Sequence, residues 1–427
     1  MLDLPALSEA DPEVAGEGSI DPLGLAVFAD RLADLLVPDV TARMQRMRFI
    51  TAIAVGAVVT DDLWDEPPVD RVSTPPICFE WVVLESFVRK PAESGTAQVT
   101  GVPGSAKAAH VVLQGKRLGA ANYLKSPSVF GFNGVYQPLA RGLRIVDSNR
   151  MAGERAALLV EIWEDDQQLK GFLNRRPGSD GVHFRDRLKE SVIGALRFGH
   201  CTGVPSAKLW AQLARSLAPL KAGSQERTIL RSWLLAEDQP IRRELARGVA
   251  GRPAASEASL IEAVAPHASQ PLRERLQAIT AYEKFCSRLD AVFVTLRHIS
   301  TLQGTQPLTP SEARSNPLIQ QVARELPDTY VKMATALEPI GLMVPVESSL
   351  GAFADPLQPA DLALQIFDRH GKVQREKGKR EWFEDYGPGV IVRQQYTQDD
   401  AIGLDDSHFL HPFRVTPLRQ FMEDTQP

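Results

Sequence analysis

Two acids in this 427-residue chain stand where acids are costly. Glu80 and Glu85 fall inside ICFEWVVLESFVRK, a run that otherwise reads as a buried helix, and a carboxylate there must be paired or carry a raised pKa. Such a group suits general acid–base work or the stabilisation of a developing positive charge, whereas an arginine partner from the basic part of the chain would make it structural. A second acidic group, Asp61, Asp62, Asp65 and Glu66, follows the preceding helix, in a position that solvation alone also explains. Asp62 and Glu80 are the candidate catalytic carboxylates.

Residues 123 to 144, YLKSPSVFGFNGVYQPLARGLR, set Tyr123, Phe130, Phe132 and Tyr136 among Lys125, Asn133, Gln137, Arg141 and Arg144. Aromatic faces beside phosphate-binding cations are what a protein needs to stack an exposed base while holding its strand. Tyr123, Phe132 and Tyr136 are the expected stacking faces, with Asn133 and Gln137 as readers of a base edge. Just upstream, VPGSAKA at 102 to 108 resembles the Pro-Gly hairpin of helix-hairpin-helix elements, with Ala106 in place of the second glycine. Near the C-terminus, HFLHPFR offers His408, His411 and Arg414 either to a polar ligand or as a docking segment.

Charge is uneven along the chain. Residues 1 to 40 hold nine acids and one base, Arg31, while residues 101 to 150 hold seven bases and one acid, Asp147. The net charge of -5 therefore hides a local balance of +6. A local basic patch is what neutralises phosphate, so Lys107, Lys116, Arg117, Lys125, Arg141, Arg144 and the distant Arg414 are the expected DNA contacts. A solvated face paired with the acidic N-terminal segment accounts for the same charges.

Several chemistries lose their usual support. The chain has no Walker loop, no GxGxxG after a strand, no HExxH, no CxxC pair and no GxSxG elbow. Cys78, Cys201 and Cys286 are scattered and odd in number, which suits a reducing cytoplasm and gives neither a disulfide framework nor a zinc site. Only His408 and His411 lie close together among eight histidines, so no metal and no cofactor are expected. The start lacks the basic residues and apolar run of a signal peptide, and no later stretch reaches 18 uninterrupted apolar residues, so no membrane contact is expected.

The elements that must position these residues are helical. The expected fold is mainly α and multi-helical, with a winged-helix-like N-terminal half and a small α+β C-terminal tail. Residues 1–19 read as a disordered acidic leader and 20–180 as the DNA-binding and catalytic region. A helical body follows at 181–350 and a capping subdomain at 351–427. Asp21-Pro22 opens an amphipathic helix stopped by Pro38, and a second, nearly all-apolar helix spans roughly 41 to 58. KAAHVVLQGKR and PSVFGFNGVYQPLARGLRIVD read as two more helices with a strand-like GLRIVD exit, ahead of GERAALLVEIWEDD. That order is the one in which a winged-helix module sends a helix into the major groove.

YLKSPSVFGFNGVYQPLARGLRIVD with GERAALLVEIWED, and the C-terminal HPFRVTPLRQF, resemble the bacterial phage-defence DNA glycosylases that excise glucosylated hydroxymethylcytosine from T-even phage DNA. The likeness lies in these local phrases and brings no catalytic motif with it. It implies antiviral cleavage of an N-glycosidic bond in double-stranded DNA carrying modified bases, with no cofactor. That chemistry develops positive charge on the deoxyribose, which an Asp or Glu must stabilise, and it requires the base to be flipped into a pocket. Asp62 and Glu80 would supply the acid and Lys107, Lys125, Arg141 and Arg144 the rim. Two other functions fit the same residues: a non-enzymatic winged-helix DNA-binding subunit of a defence or regulatory complex, and a helical protein-interaction scaffold.

Overall fold

The computed structural model describes residues 21–95, 101–202, 207–253 and 255–426. The acidic leader expected at 1–19 lies outside them. The protein is mainly helical with one small antiparallel sheet. In chain order the first helices are α1 (Ala26–Leu36), α2 (Phe49–Thr60), α3 (Pro75–Arg89), α4 (Pro91–Ser94), α5 (Ser105–Leu113), α6 (Pro127–Phe130) and α7 (Phe132–Gly142). There follow α8 (Ala156–Asp166), α9 (Asp180–Phe198), α10 (Ala207–Ser216), α11 (Ser224–Leu234), α12 (Pro240–Val249) and α13 (Glu257–Val264). The remainder is α14 (Gln270–Gln303), α15 (Pro310–Ser315), α16 (Pro317–Leu337), α17 (Met343–Leu350), α18 (Pro359–Glu376), the strands β1 (Phe383–Tyr386) and β2 (Gly389–Val392), and α19 (Val415–Asp424).

Two compact units divide the chain, each built from separated stretches. The larger takes 33–276 and 412–426, and the smaller takes 21–32 and 277–411.

In the larger unit α3 is the central helix, packed by α2, α5, α7, α9 and α10. Two prolines open it after the extended Thr74, and every residue from Pro75 to Phe87 is buried. α2, FITAIAVGAVVT, is buried on all sides, as a helix with no polar face must be. It begins at Phe49 and not near 41, because residues 41–48 form turns. Within those turns Arg48 is drawn into the core, where it meets Glu226 at 3.1 Å and the carbonyls of Ala218 and Ser216 at 2.6 and 2.8 Å. Gly56 lets α2 and α3 touch, since a Cβ there would sit 2.8 Å from the Phe79 ring.

The segment between α5 and α8 departs from the sequence reading in detail. The helix expected over KAAHVVLQGKR ends at Leu113, ahead of Gly115 at φ +71°, which leaves Lys116 and Arg117 in a loop. The next helix is broken at Gly131 into α6 and α7. Among the described residues up to 180 there is no strand; the GLRIVD exit makes a single antiparallel bridge, Val146 to Ala152.

The smaller unit is built on the C-terminal part of α14 with α15, α16 and α18 and an aromatic core that includes Phe285, Phe293 and Phe353. β1 and β2 pair from Phe383 with Val392 to Tyr386 with Gly389, and Val390 bridges Leu308. His370 is buried in this unit. Its Nδ1 meets the Pro22 carbonyl at 2.9 Å and its Nε2 accepts from the Trp382 N–H at 2.9 Å, and burial lowers its pKa to about 4. Cys78 and Cys201 in the larger unit and Cys286 in the smaller are all buried free thiols. Among the described residues no helix is long and apolar enough to cross a membrane.

Candidate active site around Glu80

α3 carries Glu80 to the start of α7, and the carboxyl is fully buried. It accepts the Tyr123 hydroxyl at 2.6 Å through Oε1, and the Asn133 backbone N–H at 2.8 Å and side-chain amide at 3.2 Å through Oε2. Asn133 also donates to the Pro76 carbonyl at 3.0 Å, which fixes its amide. The negative end of the carboxyl thus sits on the orphan N–H groups of the first turn of α7, where an anion is favoured. Burial nevertheless dominates and raises the Glu80 pKa to about 7, against the lowering from its three hydrogen bonds. The same burial, with the neighbouring carboxyl, pushes the Tyr123 phenol far up, so it stays a donor.

Two glycines make the fit possible. A Cβ at Gly131 would lie 1.8 Å from Glu80 Oε1, and one at Gly104, where φ is +78°, would lie 2.0 Å from the Tyr123 hydroxyl. Gly131 lies directly over the acid. Beside Asn133 there is a cavity of about 20 Å³ bordered by Pro76, Gln137, Val146 and Arg150, with room for about one water molecule. With its amide oxygen turned to the guanidinium groups, Gln137 accepts from Arg150 Nε at 2.9 Å and from Arg141 at 3.3 Å.

Glu80, Tyr123 and Asn133 therefore come together, with Gln137 on the cavity beside Asn133 and Arg141 on Gln137, and the remaining expected site residues do not join them. Asp62 is half-exposed and paired with Lys189 at 2.5 Å and Arg175 at 3.8 Å; its pKa is lowered, chiefly by the Lys189 hydrogen bond, so it remains an ionised surface acid. Phe132 and Tyr136 are core residues and not open stacking faces. Both rings pack on Phe49 with centroids 5.2 Å apart, and the Tyr136 hydroxyl accepts from the Gln45 and Arg46 backbone at 2.8 and 2.7 Å. Aromatic spacing alone does not separate such residues from site residues. The exposed ring of this stretch is Phe130, with the Arg43 guanidinium 4.4 Å from its centroid.

The expected cations fall into three groups. Lys116, Lys125, Arg141 and Arg144 are exposed, Arg144 beside Glu154 at 3.2 Å, and Lys107 is half-buried on α5. Arg117 is an internal partner, 3.1 Å from the buried Glu85 and 3.3 Å from the Cys201 carbonyl. The arginine that a buried acid of α3 calls for is thus on Glu85 and not on Glu80. Arg414 is largely buried, opens α19 and pairs with Asp34, which takes it out of a DNA-facing rim. In the smaller unit His411 is held by Glu283 at 2.6 Å, with the Leu410 N–H on the same carboxylate, as a docking segment would be.

Arg150 is the member of the cluster that motif reading leaves out, although it closes the basic run. Among the described residues no group of three or more His, Cys, Asp or Glu side chains is arranged to hold a metal ion. No family model, no curated protein and no solved structure matches the chain.

Proposed function

We propose that the larger unit acts on double-stranded phage DNA as a metal-independent N-glycosylase, removing a modified, glucosylated cytosine and leaving an abasic site in the bacterial cytoplasm. The observation that carries this reading is Glu80, a carboxyl with a pKa of about 7 held by Tyr123 and Asn133, with Gln137 and Arg150 on the cavity beside Asn133. An acid tuned to neutrality is half-ionised at working pH and suits proton transfer. In the proposed reaction the C1′–N1 bond breaks with its electron pair leaving on the base, and the Glu80 carboxylate stabilises the cationic sugar. Water then adds to C1′, the proton it loses passes to Glu80, and Glu80 hands it on to the departed base, so that one water is consumed and the carboxylate is regenerated. Tyr123 and Asn133 hold the carboxylate in place. The cavity beside Asn133 takes one water and not a base, so the reaction requires the chain at Gly131 to move off Glu80. In this reading α5 to α8 form the winged-helix-like module, with α7 and its Arg141 turned to the DNA.

A second reading, a non-enzymatic DNA-binding subunit, is favoured by the complete burial of Glu80 and by its hydrogen bond to the first turn of α7. There the carboxyl is a helix cap supplied by a neighbouring helix. Incubation of the protein in EDTA with unmodified, hydroxymethylated and glucosylated phage DNA, followed by alkaline cleavage, separates the two. Strand breaks confined to glucosylated DNA and lost in Glu80→Gln are expected. Intact DNA of all three kinds, with salt-sensitive binding retained, leaves the second reading.

A further inference from the structure

The larger unit holds an open cleft of about 540 Å³, a volume ordinary for small-ligand sites, at the junction of the α5–α6 loop with the end of α9. Its floor is rigid. Gly119 bridges His200, the Ala120 N–H donates to the Gly199 carbonyl at 3.0 Å and the Cys201 N–H to the Leu118 carbonyl at 2.7 Å. A Cβ at Gly119 would lie 2.4 Å from the Gly199 oxygen, so the two segments approach as closely as backbone allows. On this floor stand a cation, Lys116, and a large ring, Phe198, which is 63% exposed at the last position of α9. His200 is exposed beside them, and Asp70 gives one acidic wall, its carboxylate lowered in pKa by its bonds to Ser73 and Val72 although burial opposes this.

Phe198 is the most exposed aromatic ring among the described residues, and beside a lysine such a ring is the pairing that a nucleotide requires, a face for the base and a charge for the phosphate. We propose that this cleft binds one nucleotide of a single-stranded DNA segment, its base stacked on Phe198 and its phosphate on Lys116. Asp70 keeps a second phosphate out of the opposite side and accepts from an exocyclic amino group. The inference rests on the DNA reading above and is shared by its enzymatic and non-enzymatic forms. It also gives the Glu80 site a neighbour, because Asn122 lines the cleft and the next residue, Tyr123, donates to Glu80.

The test is fluorescence anisotropy of the full-length protein with a 5′-fluorescein 12-mer of deoxycytidine, with dCMP as competitor. Phe198→Ala and Lys116→Glu, both surface changes, are expected to weaken binding about five-fold or more each. Phe198→Trp restores it, while circular dichroism stays unchanged. Binding by the unaltered protein that neither substitution weakens overturns the cleft and leaves the DNA reading standing. No binding of single or double strands by the unaltered protein overturns both. Competition by dCMP at concentrations as low as those of the 12-mer overturns the assignment to a strand and makes the cleft a site for free nucleotides.

Discussion

At the scale of single residues, Glu80 and His370 are two groups whose burial sets a pH dependence. Glu80 ionises near 4.5 in an unfolded chain and near 7 in the folded one, so its contribution to stability is complete below 4.5 and is lost as pH rises through 7. The loss amounts to about 3 kcal/mol. His370 runs the other way. Its folded pKa of about 4 lies below the ordinary 6.5, so the stability that its neutral ring gives is complete above 6.5 and falls by about 3 kcal/mol as pH drops to 4. Urea melts at pH 5 and pH 8 check both: Glu80→Gln should flatten the loss between these values, and a His370 variant should lose its own acid-side slope. A Glu80→Gln protein with an unchanged difference between pH 5 and 8 would show that the acid is already ionised throughout. The importance of Glu80 is readable from the sequence, because an acid inside ICFEWVV must be accounted for. Its partners are not, since Tyr123 and Asn133 are 43 and 53 positions away and nothing local ties them to it.

At the scale of elements, close packing between helices decides what each can tolerate. Gly131→Ala forces a methyl group into the Glu80 carboxyl and should cost about 2 kcal/mol by thermal or urea unfolding, whereas alanine at Gly95, which has open space, should cost mainly its backbone strain. Arg48→Ala leaves Glu226 buried without its cation and should cost about 3–5 kcal/mol, and adding Glu226→Gln should recover part of it. The helices α3, α9, α14 and α16, 15 to 34 residues long, are legible in the sequence because apolar residues recur at helical spacing across several turns. α12, α13, α15, α17 and α18 are not, because they are short or lie in stretches whose charge and glycine content read as loop or tail. Gly131 within the PSVFGFNGVY run marks a break that periodicity passes over, since the residues on both sides keep a helical pattern.

At the scale of the whole molecule, the chain is acidic overall while Lys116, Lys125, Arg141 and Arg144 are exposed, and the proposed function makes these four the cations that meet phosphate. If each neutralises one phosphate, the logarithm of duplex affinity should fall against that of salt with a slope of about −3.6. Arg141→Glu together with Arg144→Glu should reduce that slope by about half; a titration between 50 and 300 mM salt with unchanged slope would place the contact elsewhere. The local excess of base is legible as a count. The loss of Arg117 to Glu85 and of Arg414 to Asp34 is not, because pairing that draws a guanidinium inward removes a surface charge without altering the composition, whereas Arg144 stays exposed beside Glu154. Nor does a linear reading show that residues 21–32 belong with 277–411 and residues 412–426 with 33–276, since those associations span hundreds of positions.

The three buried thiols make the protein its own clock for opening. Cysteine reacts as the thiolate, and burial both shields each sulfur and raises its pKa, so a thiol reagent added to the folded protein must wait for the surrounding structure to open. Cys78 and Cys201 report on the larger unit and Cys286 on the smaller. Mass-resolved labelling over time would therefore read two opening rates from the native chain without any introduced probe, and DNA that engages the larger unit should slow labelling at Cys78 and Cys201.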